Sequence, residues 1–344
     1  MQRAAREMLR ALDDLLAKGN TSLGDVTLLL PPDAENDLDL KTIGSRTVGR
    51  LSGHLWEQVE LPLYARGGVL WGLCNTGPFF HKTQIITIHD AQVLIHPENF
   101  SPLFRTFYRL LWPWLGNRAK SILTVSNFSK SELVNTKIAA PEKIRVVPNG
   151  ADHILRAKAD ARVLARHGLE PKRYVLAIGS LTKTKNLSAI VEARHKIKDP
   201  SLKLALAGLA NAGVFKGADL PTHPESVYLG FVDDGELRAL YENALCLAFP
   251  SLYEGFGLPP LEAMTCGCPV VSSTAPALRE VCGQAALFCD PTDPDAFAQA
   301  IENLSRNDPA RQALIAAGKP QAAQFTWAKA AEKALAVLTP ACRS

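Results

Sequence analysis

Two glutamates, Glu254 and Glu262, stand eight positions apart and bracket the glycine- and proline-rich run 255–261. The segment has the pattern of a strand end, a glycine-hinged turn and a helix that opens at the paired prolines, where a missing N–H costs nothing. Glycines let the backbone approach a ligand closely, and the free N–H groups of a helix start favour an anion. One carboxylate on each side of such a turn can hold hydroxyl groups around a bound phosphate, which suits a sugar nucleotide.

The fifteen residues from Pro250 to Met264 give this pair a specific setting. Acidic residues near helix starts are common because they complement the helix dipole, so the two glutamates alone would be weak evidence. The whole string PSLYEGFGLPPLEAM, however, resembles the signature of retaining glycosyltransferases of family 4. That resemblance implies the GT-B fold, an α/β architecture of two Rossmann-like, doubly wound domains that face a cleft.

The resemblance also implies a role for the residues of this string. Glu254 is expected to hold hydroxyl groups of the transferred sugar, and Glu262 those of the ribose. Backbone N–H groups between the two glutamates are expected to contact the sugar and the phosphates, at Gly255, Phe256, Gly257 and Leu258. The predicted donor site is therefore centred on one strand–turn–helix segment.

The loop at 178–187, IGSLTKTKNL, resembles the family loop that faces the donor diphosphate. Gly179 ends a strand, and Lys185 matches the lysine whose fixed charge stabilises the leaving nucleoside diphosphate. By its neighbourhood alone, Lys185 would fit a solvated lysine at a helix start better. Ser180 stands where many members carry an arginine, and Lys183 is a candidate for supplying the second positive charge.

Two further segments complete the predicted site. Phe231 and Val232 match the family segment that borders the nucleotide base, although a strand end packed in the core fits the Phe231 side chain equally well. His89 follows a strand within a His-Asp pair and matches the step that lies near the transferred sugar. Such a pair is otherwise a common hydrogen-bonded feature of loops. The predicted catalytic residues are thus Glu254, His89 and Lys185.

Short apolar strands alternate with helices along the chain, and this alternation predicts parallel sheets covered by helices on both faces. The two blocks meet near Pro148, so the predicted domains are 1–155, 156–325 and a C-terminal helix at 326–344 that returns to the first domain. The predicted strands lie at 25–31, 68–73, 83–89, 121–125, 143–147, 174–179, 202–208, 227–231, 245–250, 269–273 and 286–290. The predicted helices lie at 2–18, 103–119, 129–135, 187–196, 235–243, 259–266 and 276–282.

The beginning of the chain departs from the family pattern. Family members begin with a strand and a glycine-rich loop, whereas this sequence opens inside the helix that should follow them. The first domain is therefore expected to lack its first strand. Because a lost central strand would expose unpaired strand edges, the hypothesis is a misassigned start.

The composition is that of a globular protein long enough for two domains. Hydrophobic residues make up 47 % of the 344 residues and charged residues 21 %. A net charge of +4 is too small to indicate nucleic-acid binding. Seven cysteines in mostly apolar settings favour reduced thiols in a cytoplasmic protein.

No metal and no other cofactor is predicted. Cys266 and Cys268 are separated only by a glycine and have no second Cys/His pair at zinc spacing. The family resemblance likewise implies no obligatory metal, and no spaced acidic pair stands in a candidate donor loop. The co-substrate is then the nucleotide sugar alone.

Charge and aromatic residues are concentrated in one part of the first domain. The stretch 103–120 carries five aromatic residues, and the longer stretch 105–145 has only two acidic residues against eight basic ones: Arg105, Arg109, Arg118, Lys120, Lys130, Lys137, Lys143 and Arg145. Such a surface suits an anionic membrane, where lipid-linked acceptors lie. The alternative is a buried helix with ordinary solvated arginines. Peripheral contact with the inner face of a membrane is one expectation.

These observations predict a retaining hexosyltransferase that acts on a glycan or polyprenyl-linked acceptor in polysaccharide assembly. The segment Trp56–Pro62 resembles members that transfer mannose or related sugars, so mannose is the first candidate. Two alternatives stay open. One is a non-catalytic subunit that binds a nucleotide sugar, and the other is an epimerase or hydrolase of the same fold.

Overall fold

The computed structural model describes residues 2–19, 23–35, 37–208 and 225–343. They form two compact units, one made of 1–150 with 327–344 and the other of 151–326. The units divide within a few residues of the predicted boundaries, and the C-terminal helix belongs to the first unit. None of the described helices is both long and apolar enough to span a bilayer.

The first unit contains two parallel sheets rather than one. Strands β1 (Thr27–Leu30) and β2 (Gly44–Thr47) pair with each other. The other four strands form a sheet in the order β3-β4-β5-β6, with bounds Leu70–Gly72, Gln84–Thr87, Ser121–Thr124 and Ile144–Val146. Strand β2 was not predicted, because its four residues are all exposed and carry no apolar pattern.

Apolar stripes and capping residues determine the helices of this unit. The first and last helices pack together through buried apolar residues spaced three or four apart, which lie on one helix face: Ala4, Met8, Leu12, Trp327, Ala331, Ala334 and Leu338. The Ser101 hydroxyl caps a third helix by accepting from the Phe104 N–H, and Pro102 fits its first turn. The longer helices are Gln2–Ala17, Pro102–Arg118, Asn127–Asn135 and Trp327–Arg343, with a short helical stretch made of Gly53–Leu55, Trp56–Glu60 and Leu61–Tyr64.

The two sheets of the first unit border a cavity of about 1780 Å³ that is lined by both β1 and β3. Among the described residues no strand joins the two sheets. Apolar side chains of both strands, Leu29 and Leu70, are only half-buried there, whereas β4 is buried throughout. The two sheets are therefore separate among the described residues, and the predicted lack of a first strand stays a prediction.

Close packing around helix Pro102–Arg118 leaves no room for a side chain at Gly116. A Cβ at this position would lie 1.7 Å from the carbonyl oxygen of Ile138. Overpacking of this kind costs about 1–3 kcal/mol, which exceeds the helix-propensity gain of about 1 kcal/mol from Gly to Ala. We expect Gly116→Ala to lower the free energy of unfolding in urea titrations, while Asn117→Ala on the exposed side of the same helix should not. Equal free energies of unfolding for the two variants would contradict the close contact between Gly116 and the Ile138 carbonyl.

In its described residues, 151–208 and 225–326, the second unit is built on one parallel sheet of six strands in the order β12-β11-β10-β7-β8-β9. Asp233 and Glu236 form a capping box at the start of one of its helices, as the sequence pattern D-x-x-E favours. The strands are β7 Tyr174–Ile178, β8 Lys203–Ala207, β9 Ser226–Gly230, β10 Cys246–Phe249, β11 Val270–Ser273 and β12 Leu287–Cys289. The helices are Arg162–Arg166, Leu187–Lys196, Asp234–Asn243, Leu258–Thr265, Pro276–Cys282, Pro294–Arg306 and Asp308–Ala322.

Candidate functional site

The strand order of the second unit contains one reversal. From β7 the chain adds β8 and β9 on one side, and it then returns to place β10, β11 and β12 on the other side. In open α/β sheets, ligands bind at the carboxyl ends of the strands at such a switch point. The loops that follow β7 and β10 both begin there, and these are the loops that carry Lys185 and Glu254.

These two loops meet in an ion pair. The Lys185 ammonium lies 2.6 Å from Glu254 Oε1, and the Leu252 N–H donates to the Thr184 carbonyl at 2.8 Å. The Lys185 side chain keeps 29 % of its exposure and Glu254 keeps 11 %. Two of the three predicted catalytic side chains are thus in direct contact, with a fixed positive charge at the edge of the sheet.

Gly179 and Ser180 shape the loop around this lysine. A Cβ on Gly179 would lie 3.3 Å from both Cβ and Cγ of Lys185, so the glycine gives the aliphatic part of the lysine room to lie against the backbone. The Ser180 hydroxyl is 3.2 Å from that of Thr182, within the turn that leads to the lysine. The Lys183 side chain is exposed to solvent. Their predicted contacts with a donor stay predictions.

The turn before helix Leu258–Thr265 requires glycine at Gly257. Its φ of 98° is left-handed, and a Cβ there would lie 2.3 Å from a methyl carbon of Leu278. Within the part of the chain that the structure describes, no side chain caps this helix. Because two of its first three residues are prolines, few backbone N–H groups are left at its start to meet an anion. Phe256 is buried, with its ring 5.9 Å from that of Phe325.

Glu262 lies deeper than the ion pair and is held by two buried partners. His153 Nε2 is 3.0 Å from Glu262 Oε1, and the Tyr241 hydroxyl donates to Oε2 at 3.0 Å. Burial and the neighbouring carboxylate raise the pKa of Tyr241, so its hydroxyl keeps the proton that it donates. The predicted contact of Glu262 with ribose hydroxyl groups stays a prediction, since its carboxylate already accepts from the protein.

Sequence reasoning did not assign His153 or Tyr241 to the site. His153 directly follows the segment Val147–Asp152, which resembles a family segment and lies at the predicted domain boundary. Tyr241 lies on helix Asp234–Asn243, which follows the predicted base-binding residues Phe231 and Val232 closely along the chain. A buried histidine next to a family segment was the available signal, but its partner is more than a hundred residues away along the chain.

Phe231 and Val232 follow the carboxyl end of β9. The Phe231 side chain is 88 % exposed, so the alternative of a side chain packed in the core is wrong. Val232 is half-buried beside it. An exposed aromatic face next to the carboxyl edge of the sheet has the shape to stack on a planar base.

His89, in the first unit, follows β4 and is buried. Its Nε2 lies 3.1 Å from the Leu73 carbonyl oxygen, and its backbone N–H donates to the Asn75 amide oxygen at 2.7 Å. Burial lowers the pKa of His89 to about 4. The imidazole is therefore neutral near pH 7, and with Nε2 as the donor its Nδ1 carries the lone pair.

This buried imidazole predicts a pH-dependent loss of stability. The unfolded chain protonates His89 near pH 6.5, whereas the folded chain does so only near pH 4. The contribution of the neutral His89 to the free energy of unfolding is thus fully present above pH 6.5. It is lost as the pH drops from 6.5 to 4, by about 3 kcal/mol. We expect the unfolding free energy of His89→Gln to vary much less with pH over this interval. That of the exposed-site control His54→Gln should fall with pH as it does in the unaltered protein. A His89→Gln profile parallel to that of the unaltered protein would contradict this.

The two cysteines that follow helix Leu258–Thr265 carry protonated thiols. Burial raises the pKa of the Cys266 and Cys268 thiols to about 12 in each case. The prediction that the protein needs no metal and no other cofactor stays a prediction. Within the described residues, no group of three or more His, Cys, Asp or Glu side chains is placed to hold a metal ion.

Comparisons with known proteins agree with these features. The family model described as glycosyl transferases group 1 matches residues 162–321, and that of glycosyltransferase family 4 matches 67–154. O-antigen chain mannosyltransferase B of Escherichia coli is 34 % identical over 268 residues, which are 73 % of this chain and 70 % of that protein. O-antigen chain mannosyltransferase RfbU of Salmonella typhimurium is 29 % identical over 228 residues, or 65 % of this chain and 62 % of that protein.

Solved structures agree on the fold. Anabaena Alr3699/HepE in complex with UDP-glucose superimposes with a TM-score of 0.72 at 18 % identity, covering 97 % of this chain and 94 % of that one. The parallel, helix-covered sheets within each unit, the switch-point ion pair and the family matches point the same way. The prediction of a GT-B glycosyltransferase is confirmed: the chain belongs to the group 1, family 4 glycosyltransferases.

Proposed function

We propose that the chain transfers mannose from a nucleoside-diphosphate sugar to a hydroxyl group of a glycan or lipid-linked acceptor, with retention of the anomeric configuration. The observation that carries the proposal is the contact between Lys185 and Glu254 at the switch point of the second unit. The mannosyltransferase names of the two relatives described above support the sugar and the setting in surface-polysaccharide assembly. The activity would then belong at the cytoplasmic face of the membrane that carries such acceptors.

The proposed chemistry assigns opposite tasks to the two partners. As the bond between the sugar C1 and the diphosphate oxygen breaks, the leaving nucleoside diphosphate gains negative charge. The Lys185 ammonium stabilises that charge, and a fixed cation in a partly desolvated site does so strongly. Glu254 accepts hydrogen bonds from the sugar hydroxyl groups and so orients the anomeric carbon. Glu262, held by His153 and Tyr241, is assigned to the ribose.

The base is proposed to stack beside the exposed ring of Phe231, and guanine is the first choice because mannose is the first choice for the sugar. Thermal-shift measurements with GDP-mannose, UDP-glucose and a dTDP-sugar test this, since a ligand that binds only the folded state raises the melting temperature. We expect the largest rise with GDP-mannose. A larger rise with either other donor would overturn the choice of base.

A second candidate function is a nucleotide-sugar-binding subunit without transferase activity. The observation that favours it is Ser180, which provides a short hydroxyl where many family members carry an arginine, beside an exposed Lys183. Donor consumption separates the candidates. Transfer requires an added acceptor, hydrolysis or epimerisation consumes donor without one, and a binding subunit consumes none.

A further inference from the structure

Three buried polar side chains of the second unit meet at one carboxylate. Glu262 stands on helix Leu258–Thr265, and its two partners come from other elements. Tyr241 lies on the helix that precedes β10, and His153 lies in the short turn Asp152–Leu155. The exposed fraction is 4 % for Glu262 and 3 % for His153, and Tyr241 is fully buried. Three separate segments of the chain therefore have to pack together to assemble this group.

The stability of the fold alone does not call for a carboxylate at this place. A buried carboxylate loses its hydration, and a glutamate side chain also loses rotamer freedom when it is ordered. Apolar side chains of similar volume are often as stable as a buried ion pair, or more stable. A glutamate that is buried here and provided with two donors therefore indicates a task other than packing.

The two donors fix the direction of the Glu262 carboxylate. An ionised carboxylate only accepts hydrogen bonds, so the imidazole and the phenol both donate. His153 Nε2 lies 3.0 Å from Oε1, and the Tyr241 hydroxyl lies 3.0 Å from Oε2. One donor on each oxygen sets the plane of the carboxylate as well as its position. Because the group is ordered in the folded chain, a ligand that binds to it does not have to supply that ordering.

We propose that His153 and Tyr241 are positioning residues that make the nucleotide site selective for ribose over deoxyribose. The ribose contact of Glu262 is taken from the proposed function, on which this inference rests. A carboxylate has about four acceptor positions, so it can accept from the protein and from a ribose diol together. The two hydroxyl groups of the diol point in fixed directions, and a carboxylate held in one plane can receive both. The donors that follow are ribonucleoside-diphosphate sugars, with dTDP-sugars bound more weakly.

Calorimetric titration with GDP and with 2′,3′-dideoxy-GDP tests the proposal through the ratio of the two dissociation constants. For the unaltered chain we expect the dideoxy analogue to bind roughly tenfold to a hundredfold more weakly, since hydrogen bonds to a charged acceptor are lost. Tyr241→Phe removes one oxygen atom, and His153→Leu removes the ring donor. Each should lower this ratio by at least about threefold. UDP and its dideoxy analogue form a second pair, so that the choice of base does not decide the result.

Two matched variants separate positioning from general destabilisation. Tyr174 is also buried in the second unit, and its hydroxyl donates to the Leu240 carbonyl at 2.6 Å. Tyr174→Phe therefore removes an equivalent buried hydroxyl and should keep the ratio of the unaltered chain. His153→Gln provides an amide N–H in place of the imidazole donor and should keep most of it. Both dissociation constants come from one preparation, so a fraction of unfolded protein does not change their ratio.

Initial rates with GDP-mannose give a second readout. A ribose contact is made equally in the ground state and the transition state, so Tyr241→Phe should raise KM and leave kcat within about twofold. An unchanged ratio in both Tyr241→Phe and His153→Leu, or equal binding of GDP and its analogue by the unaltered chain, would overturn the proposal and leave the transferase activity standing. Normal selectivity for ribose without any transfer would instead contradict the proposed function and leave the positioning role standing.

Discussion

Replacing Glu254 by glutamine is expected to lower turnover by about 10²–10³-fold while nucleoside-diphosphate affinity stays within a few-fold. The carboxylate is assigned to the sugar hydroxyl groups, and glutamine keeps its size but loses its charge. The substitution also releases Lys185 from its contact at 2.6 Å, so the ammonium becomes more available to the diphosphate. Turnover number and the dissociation constant for the free nucleoside diphosphate, measured on the same preparation, separate the two effects.

A matched control is available on the neighbouring helix. Glu192 is exposed on helix Leu187–Lys196, so Glu192→Gln removes the same charge from the same unit away from the switch point. We expect normal turnover for this control. A Glu254→Gln variant with turnover within threefold of the control, or with affinity reduced as much as turnover, would remove Glu254 from its assigned role.

Replacing Lys185 by methionine is expected to reduce both affinity and turnover. Methionine keeps an unbranched apolar chain against Gly179, where a Cβ would lie 3.3 Å from the lysine, and it removes only the charge. Loss of a fixed cation at a developing negative charge costs about 10²–10³-fold in turnover. Nucleoside-diphosphate affinity should fall by roughly tenfold, because a charge-assisted contact of about 1.5 kcal/mol is lost. Calorimetric titration and initial rates measure the two quantities.

Lys183→Met is the control for this prediction and also tests whether Lys183 supplies a second charge. It removes an exposed lysine two residues away in the same turn. A loss of affinity comparable to that of Lys185→Met would show that the Lys183 ammonium also contacts the diphosphate. Lys183 would then supply the positive charge that many family members place at position 180 with an arginine. An unchanged Lys185→Met enzyme would show that the diphosphate lies elsewhere.

Most elements could be predicted because local signals and apolar periodicity agreed. The strand β2 could not, since its backbone position depends on a distant side chain. Asp13 on the first helix accepts from the N–H groups of Lys41, Thr42 and Ile43, which anchors the approach to this exposed strand. A contact across about thirty residues leaves no periodic pattern in the strand itself.

The helices Pro294–Arg306 and Asp308–Ala322 were also absent from the sequence prediction, although their start signals are present. The Asp293 side chain accepts from the Ala296 N–H, and the Asn307 side chain accepts from the Ala310 N–H. Each cap stands one or two residues before a proline in the first turn, which is a standard N-terminal signal. These caps and prolines are local signals in the sequence that predict the starts of both helices.

The members of the site could be predicted more readily than their contacts. The family string identified Glu254 and Glu262 and the loop 178–187 identified Lys185, but the pairing of Lys185 with Glu254 depends on β7 lying beside β10. Likewise, the burial of Glu262 between His153 and Tyr241 depends on how two helices and a short turn pack. Such side-chain geometry follows from tertiary packing, which residue spacing does not encode.

The stereochemistry of the product tests the central claim most directly. The protein is incubated with GDP-mannose labelled with carbon-13 at C1 and with a soluble acceptor that carries a free hydroxyl group, and the product is examined by NMR. An α-linked product is expected from the α-linked donor, with GDP release that depends on the acceptor. A β-linked product, or equal GDP release without acceptor, would contradict a retaining transferase centred on Lys185 and Glu254.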